Sequence, residues 1–419
     1  MNRLRVPGDK SISHRALMLA ALGNGRSRIR GILVSADVHS TAGVLRALGV
    51  DIPSLDAPEI VVDGVGLRGL RAPSGDLDCG NSGTTARVMS GVVAGAGLNA
   101  TFTGDASVSR RPMQRVAAPL GAMGAIVELP EHGGLPMTLR HATLHGITWR
   151  SEVASAQVKS AIILAGLVAD VPVEVHEPSG TRDHTERMLL ARGVDVRSEG
   201  NIVTLNPRAR LDAGEVDVPG DPSSAAFIAG LAALNAVREG VVRIENVGIN
   251  PGRLGVFAAL RRMGASIAFE DVADQGGEPV ATLVCRAGTL TGISIVPEDV
   301  PGLIDELPLL ACVAARAEGE TRVTGAAELR VKESDRITTV VTNLQAIGVD
   351  AEELPDGFIV RGTQAPLKGK AVTHGDHRIA MAFGVLGALS GNLIEVDDPY
   401  CCAVSWPSFW DDLQRVKRD

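Results

Sequence analysis

The sequence predicts an α/β protein of two lobes, each made of three copies of one repeated unit, with helices inside and strands outside. Three observations carry this reading. A polar Gly/Ser/Asp-rich start, an apolar helix and a short β-like run recur six times, about seventy residues apart, the length of a supersecondary unit rather than of a coiled coil. The first helix of each copy is apolar nearly all round, whereas a second helix in five copies is amphipathic, so the first belongs inside and the second outside. The tetrapeptide Val-Pro-Gly-Asp occurs at Val6–Asp9 and again at Val218–Asp221, each time directly before a helix start.

The apolar helices are expected near His14 (ISHRALMLAAL), Thr85, Gln157, Ser223, Ile304 and His377. The runs SRIRGI, ATFTG, VPVEVHE, VVRIENV, TRVTG and LIEVDD follow them as strands. The second helices end in VLRALGVDI, PLGAMGAIV, LLARGVDV, LRRMGASI and LQAIGVDA, where a shared Gly can close the helix in a left-handed turn. The sixth copy stops inside its second helix, SWPSFWDDLQRV. Pro-Gly favours a turn, so both Val-Pro-Gly-Asp segments are expected to be crossings between lobes. Residues 1–8 plus 221–419 then form a discontinuous lobe whose first residues pair with the C-terminal half, and 9–220 form an inserted lobe. If the buried helices run parallel, their N-termini converge on the cleft between the lobes and offer it unpaired N–H groups and partial positive charge.

A net charge of −8 excludes a general nucleic-acid binder, which needs a basic face. The N-terminal MNRLRVPGDK lacks the apolar core of a signal peptide and no stretch reads as a membrane span, so a cytoplasmic protein without a membrane partner is expected. The five cysteines are scattered, without metal-binding spacing, and the adjacent Cys401-Cys402 pair is a poor disulfide candidate, which fits a reducing compartment. Only six lysines stand against 35 arginines, yet Lys10 and Lys332 both fall in dense polar motifs, where a compact ammonium does what a guanidinium does not.

Asp9-Lys10-Ser11-Ile12-Ser13-His14-Arg15 places two cations and two hydroxyls at the mouth of an apolar helix. It reads as an anion site, or as a helix capped by Ser11 or Ser13; His14 is expected to be structural. Cys79-Gly80-Asn81-Ser82-Gly83-Thr84-Thr85 allows close backbone approach by a ligand, or is an N-cap with packing glycines. Ser109-Arg110-Arg111-Pro112 offers two guanidiniums where a helix begins at Pro112, or a solvated pair. Arg330-Val331-Lys332-Glu333-Ser334-Asp335-Arg336 packs alternating charge before a helix, and reads equally as a solvated face or as a functional cluster. Ile304-Asp305-Glu306-Leu307-Pro308 and His374-Gly375-Asp376-His377-Arg378 instead set carboxylates in apolar sequence, where each needs a partner or acts as an acid or base.

DKSISHR, GNSGTT, RRPM, SAQVKSA, TRDHTER, VPGDPSSAA, IDELP, RVKESDR and GDHRIAM, in this order over essentially the whole length, resemble the 5-enolpyruvylshikimate-3-phosphate synthase family of enolpyruvyl transferases. The resemblance implies a two-lobed inside-out α/β barrel of six βαβαββ-type units, three per lobe, with buried parallel helices and the active site in the cleft. It implies transfer of the enolpyruvyl group of phosphoenolpyruvate to the 5-hydroxyl of shikimate 3-phosphate, with release of phosphate, through a tetrahedral intermediate and without metal or organic cofactor. By motif, Lys10, Ser11, Arg15, Ser155, Ala156, Gln157, Arg182, Asp305 and Lys332 would hold shikimate 3-phosphate. Lys10, Asn81, Gly83, Arg111, Gln157, Arg336 and Arg378 would hold phosphoenolpyruvate. Asp305 is then the base for the 5-hydroxyl and Glu333 the proton donor to the methylene carbon, with Lys10 as partner. Donation needs a protonated Glu333, which Lys332 would oppose if close. The family further suggests a monomer.

Glu328, Ala156 and Val404 depart from the best-known branch, which has Asn, Ser and a phosphoenolpyruvate-binding Lys there. SAQVKSA and TRDHTER resemble the second branch, whose glyphosate-tolerant members carry Ala where this chain has Gly83, so glyphosate sensitivity is expected. Bringing Lys10, Arg111, Lys332, Arg336 and Arg378 together without ligand is expected to cost repulsion that holds the lobes open. The alternatives are the sister transferase acting on UDP-N-acetylglucosamine, which typically has an active-site Cys in a mobile loop and a Lys-Asn pair, and a non-catalytic sugar-phosphate binding protein. Lys10-Ser11 and the absence of Cys between Cys79 and Cys285 weigh against the first, and Asp305 with Glu333 against the second.

Overall fold

The computed structural model describes residues 2–207 and 210–418. Six buried helices organise them: Lys10–Leu22, Gly83–Gly95, Ala156–Ala169, Pro222–Ala233, Leu307–Ala314 and His377–Gly387. Small apolar side chains let them bury on all faces, and every residue of Pro222–Ala233 is buried. Five start under a side-chain cap, from Asp9, Ser82, Ser155, Asp221 and Asp376. The helix expected from Ile304 begins later, at Leu307, after a 3-10 turn at Ile304–Glu306; Pro308 lies in its first turn, where a missing N–H costs nothing.

The chain divides into two units. One comprises Gly8–Val218 with the tip Gln275–Glu278, the other the remainder of the described chain. Each has its own hydrophobic core.

In the first unit three sheets accompany three buried helices. Leu77–Asp78 runs parallel to Ala100–Thr103, which pairs antiparallel with Met137–Arg140, itself flanked by Ile126–Glu128. Ile147–Arg150, Val173–His176, Ile202–Leu205 and Val196–Glu199 repeat this order. These two copies are complete βαβαββ units. The first copy is shorter: Asn24–Arg30 pairs with Glu59–Val65 and, parallel, with the late strand Glu215–Asp217.

In the second unit the strand parallel to Val241–Gly248 is the N-terminal Asn2–Leu4. The hairpin of Ser266–Gln275 and Glu278–Arg286 completes that sheet. The next copy is complete, from Ser294–Ile295 to Gly357–Arg361. The last has two parallel strands, Lys368–Ala371 and Leu393–Val396, and ends in the helix Phe409–Val416, whose Phe409 ring meets Phe227, Trp406 and Trp410 edge-on.

The five second helices are Ala36–Ala47, Gln114–Ala122, His184–Leu190, Gly255–Arg262 and Arg336–Ala346. Gly49, Gly124, Gly193, Gly264 and Gly348 follow them, all with φ between 78° and 112°, a region that costs glycine no Cβ clash. No described helix is long and apolar enough to cross a membrane.

Glycine also sets the spacing of the inner helices. A Cβ on Gly91 would lie 2.1 Å from the Ala161 carbonyl oxygen, so Gly83–Gly95 and Ala156–Ala169 touch backbone to backbone. Gly91→Val is therefore expected to cost about 2–3 kcal/mol through forced separation of the helices. Urea unfolding followed at Trp149, in the same unit, measures it; a loss below about 0.5 kcal/mol would mean that the helices separate cheaply.

Candidate active site

The polar helix starts gather the nominated residues into two groups, one in each unit. In the first unit Lys10 opens its helix, with Nζ 3.1 Å from Asp37 Oδ2. Asp9, not Ser11 or Ser13, caps this helix by accepting from the Ile12 N–H at 2.8 Å; Ser13 Oγ accepts from the Leu33 N–H instead. His14 is fully buried against Thr41 at 2.7 Å. Burial, then the charges of Lys10 and Arg15, push its pKa well below the usual imidazole value, so it is a neutral structural group. Arg15 points inward, donating from Nε to Thr185 Oγ1 at 2.6 Å and from Nη2 to Ser160 Oγ at 2.7 Å. Burial pulls it down to about 10 against the raising pull of Glu186 and Asp9, and it stays charged at neutral pH.

Arg110 and Arg111 part company: Arg110 is exposed and Arg111 buried. The helix expected at Pro112 starts at Gln114: Met113 is the first residue whose carbonyl accepts from the helix, while the Pro112 carbonyl accepts from Arg87 Nη2 at 3.3 Å. Arg111 donates to Asn81 Oδ1 at 2.8 Å, and the Asn81 amide donates to Asp105. A Cβ on Gly83 would lie 3.1 Å from Arg87 Nη1 and 3.3 Å from Arg111 Nη1, so the glycine sits between two guanidiniums. Arg87 Nη1 donates to Gln157 Oε1 at 2.7 Å and Gln157 Nε2 to Thr84 Oγ1 at 3.0 Å, which ties two buried helices together at their starts. Ser155 caps the Gln157 helix from the Val158 N–H, with Ala156 as its first residue. Arg182 lies half-buried on the segment before the helix His184–Leu190.

In the second unit Asp305 is the hub. Lys332 Nζ and Arg336 Nη1 each lie 3.4 Å from its Oδ1, and Arg378 Nη2 is 3.9 Å from its Oδ2. Arg336, 1% exposed, also grips Asp376 at 2.7 Å and Glu333 at 2.6 Å. Burial works to raise the Asp376 carboxyl, but the Arg336 guanidinium overrides it and holds that carboxyl below its usual range. Of the two readings of Arg330–Arg336, the solvated face is absent: Lys332, Glu333 and Arg336 all turn partly or wholly inward. Arg336 lies against Glu333, and Lys332 reaches Asp305. Arg378 Nη1 donates to Glu306 Oε1 and to the Asp305 carbonyl, both at 3.0 Å, and Ser223 donates to the same Glu306 oxygen. Three buried helices are thus joined at their N-termini through Ser223, Glu306 and Arg378.

Lys10, Lys332, Arg336 and Arg378 each meet a carboxylate of their own unit. Asp37, Arg87 and Arg253 were not singled out from the sequence. Arg253 is 4% exposed and joins Asp221 to Ser223. A charge inside apolar sequence was the available signal for Arg87. Glu328 lies on a 3-10 turn at Ala327–Val331 and Val404 ends another at Pro399–Val404.

Each unit by itself sets arginine forks and an ammonium group at helix N-termini, an arrangement suited to small anionic ligands, and the second unit adds the Asp305 carboxylate among its cations. Residues 2–413 match the family model of EPSP synthase (3-phosphoshikimate 1-carboxyvinyltransferase). A 3-phosphoshikimate 1-carboxyvinyltransferase of Alkalilimnicola ehrlichii is 50% identical over 97% of this chain and 91% of its own length. One from Alkaliphilus metalliredigens is 44% identical over 99% and 97%. The solved EPSP synthase of Acinetobacter baumannii superposes with a TM-score of 0.87 at 42% identity, covering 99% of this chain and 95% of that one. The chain belongs to the EPSP synthase family.

Proposed function

We propose that the protein transfers the enolpyruvyl group of phosphoenolpyruvate to the 5-hydroxyl of shikimate 3-phosphate, releasing phosphate, in the biosynthesis of chorismate and the aromatic amino acids. The observation that carries this reading is Asp305 held among Lys332, Arg336 and Arg378: a proton acceptor surrounded by groups that neutralise phosphate and carboxylate. In the addition step the acceptor's 5-oxygen bonds to C2 of phosphoenolpyruvate, Asp305 takes the hydroxyl proton and Glu333, which must carry a proton and so give up its ion pair with Arg336, donates to the methylene carbon. Elimination then returns a proton from the new methyl group to Glu333, and phosphate leaves with the proton that Asp305 had taken.

On this reading both groups of residues serve one reaction in a cleft between the lobes 1–8 plus 221–419 and 9–220. Lys10, Ser11, Arg15, Ser155, Ala156, Gln157, Arg182 and Lys332 bind shikimate 3-phosphate. Lys10, Asn81, Gly83, Arg111, Gln157, Arg336 and Arg378 bind phosphoenolpyruvate. The protein is read as a cytoplasmic monomer.

The test is phosphate release from phosphoenolpyruvate with shikimate 3-phosphate or UDP-N-acetylglucosamine as acceptor. Release dependent on shikimate 3-phosphate is expected, and release only with the nucleotide sugar would overturn the assignment. Glyphosate is expected to compete with phosphoenolpyruvate, since Gly83 leaves open the space between Arg87 and Arg111; no competition at millimolar inhibitor would defeat that expectation.

A further inference from the structure

Lys159 is absent from the expected substrate ligands, yet it is among the most confined charges in the protein. It lies two residues beyond Gln157 in the buried helix Ala156–Ala169 and is 2% exposed. Its Nζ is 2.8 Å from Glu177 Oε2 and 2.8 Å from Glu186 Oε1, both carboxylates also buried. These two acids bracket the segment that carries Arg182. Glu177 follows the strand Val173–His176, and Glu186 lies in the first turn of the helix His184–Leu190. Within the segment Thr181 donates to Glu177 Oε1 at 2.6 Å.

The neighbouring residues repeat the connection. Ser160 and Thr185 hydrogen-bond each other at 2.7 Å, and both accept from Arg15. One turn of the buried helix therefore fixes both ends of the Arg182 segment and the Arg15 guanidinium. Burial disfavours the Lys159 ammonium, but Glu186 and Glu177 outweigh it and hold its pKa above the ordinary lysine value. Three charges are desolvated here, where apolar residues of similar volume would commonly pack at no loss of stability.

We propose that Lys159, clamped between Glu177 and Glu186, is a positioning residue for the phosphorylated acceptor: it sets where Arg182 and Arg15 present their guanidiniums. This rests on the assignment of shikimate 3-phosphate as acceptor. It is tested with purified full-length Lys159→Met and Thr181→Val proteins, by calorimetric binding of shikimate 3-phosphate and by steady-state kinetics in both substrates. Lys159→Met is expected to raise the Kd and KM for shikimate 3-phosphate about tenfold or more, while kcat at saturating acceptor and the KM for phosphoenolpyruvate change less than about threefold.

An acceptor affinity within twofold of the parent overturns the proposal. So does a parallel change in both KM values and kcat, the signature of general structural damage. Thr181→Val leaves the ion pairs in place and is expected to raise the acceptor KM about threefold, with the same split. If Lys159→Met does not fold, an unchanged acceptor KM in Thr181→Val overturns the proposal. Parent turnover with unchanged variant affinity defeats the positioning role alone; a parent that neither binds nor uses shikimate 3-phosphate defeats the reaction assignment, and this proposal with it.

Discussion

Asp305→Asn is expected to lower kcat for phosphate release about 10²- to 10⁴-fold, the usual worth of a positioned general base. The amide keeps the shape of the carboxylate but takes no proton from the acceptor hydroxyl. Arg336 and Arg378 keep their positions, because Arg336 remains anchored on Asp376 and Arg378 on Glu306, whereas Lys332 loses its Asp305 partner. Removing one negative charge from the middle of three cations also favours anionic ligands, so the KM for phosphoenolpyruvate is expected to stay level or fall. Steady-state phosphate release and calorimetric binding of both substrates separate these effects. A variant that retains more than a tenth of the parent kcat would remove Asp305 from the role of base.

The second large effect is expected in stability. Asp376→Asn should cost about 3–5 kcal/mol at neutral pH, because it leaves the buried Arg336 guanidinium short of its principal counter-charge. Both side chains are almost wholly buried, at 1% and 0% exposure. The sign of the pH dependence follows from the direction of the Asp376 shift. A carboxyl depressed in the folded state contributes its stability in full above its unfolded value, 3.8, and loses it as pH falls through the lower folded value. The parent protein should therefore lose stability more steeply than Asp376→Asn below about pH 4, and the gap between them should narrow there. Urea unfolding followed at Trp406 and Trp410, which lie in the same unit as Asp376, reads this directly. A gap that is unchanged across that range would mean that the pair does not carry the acid sensitivity.

What was legible in the sequence is what depends on neighbours in the chain. Apolar composition marked the buried helices, and the glycines after the second helices marked left-handed turns that the structure places at Gly49, Gly124, Gly193, Gly264 and Gly348. Motif order identified the family over its full length. Pairings across long sequence distances were not legible. Nothing local says that Lys10 meets Asp37, that Arg336 chooses Glu333 and Asp376, or that the tip Gln275–Glu278 joins the first unit, where Glu278 meets His184 at 2.7 Å. Charge in an apolar setting announces burial but not the partner. Helix starts also shifted, at Gln114 and Leu307, where distant hydrogen bonding or proline chemistry decided the first turn.

The N-terminal strand has a consequence for the order of folding during synthesis. Asn2–Leu4 leaves the ribosome about 240 residues ahead of its partners Val242–Ile244, the most distant strand pairing among the described residues. The strand Glu215–Asp217, which pairs with Asn24–Arg30, emerges well before them. Nascent chains released after about residue 220 should therefore hold a protease-resistant body formed by the inserted segment, with a loose N-terminal tail awaiting its sheet. Only the first strand is out of order: the body of residues 8–218 closes first, and Asn2–Leu4 is stitched in once Val242–Ile244 has been made.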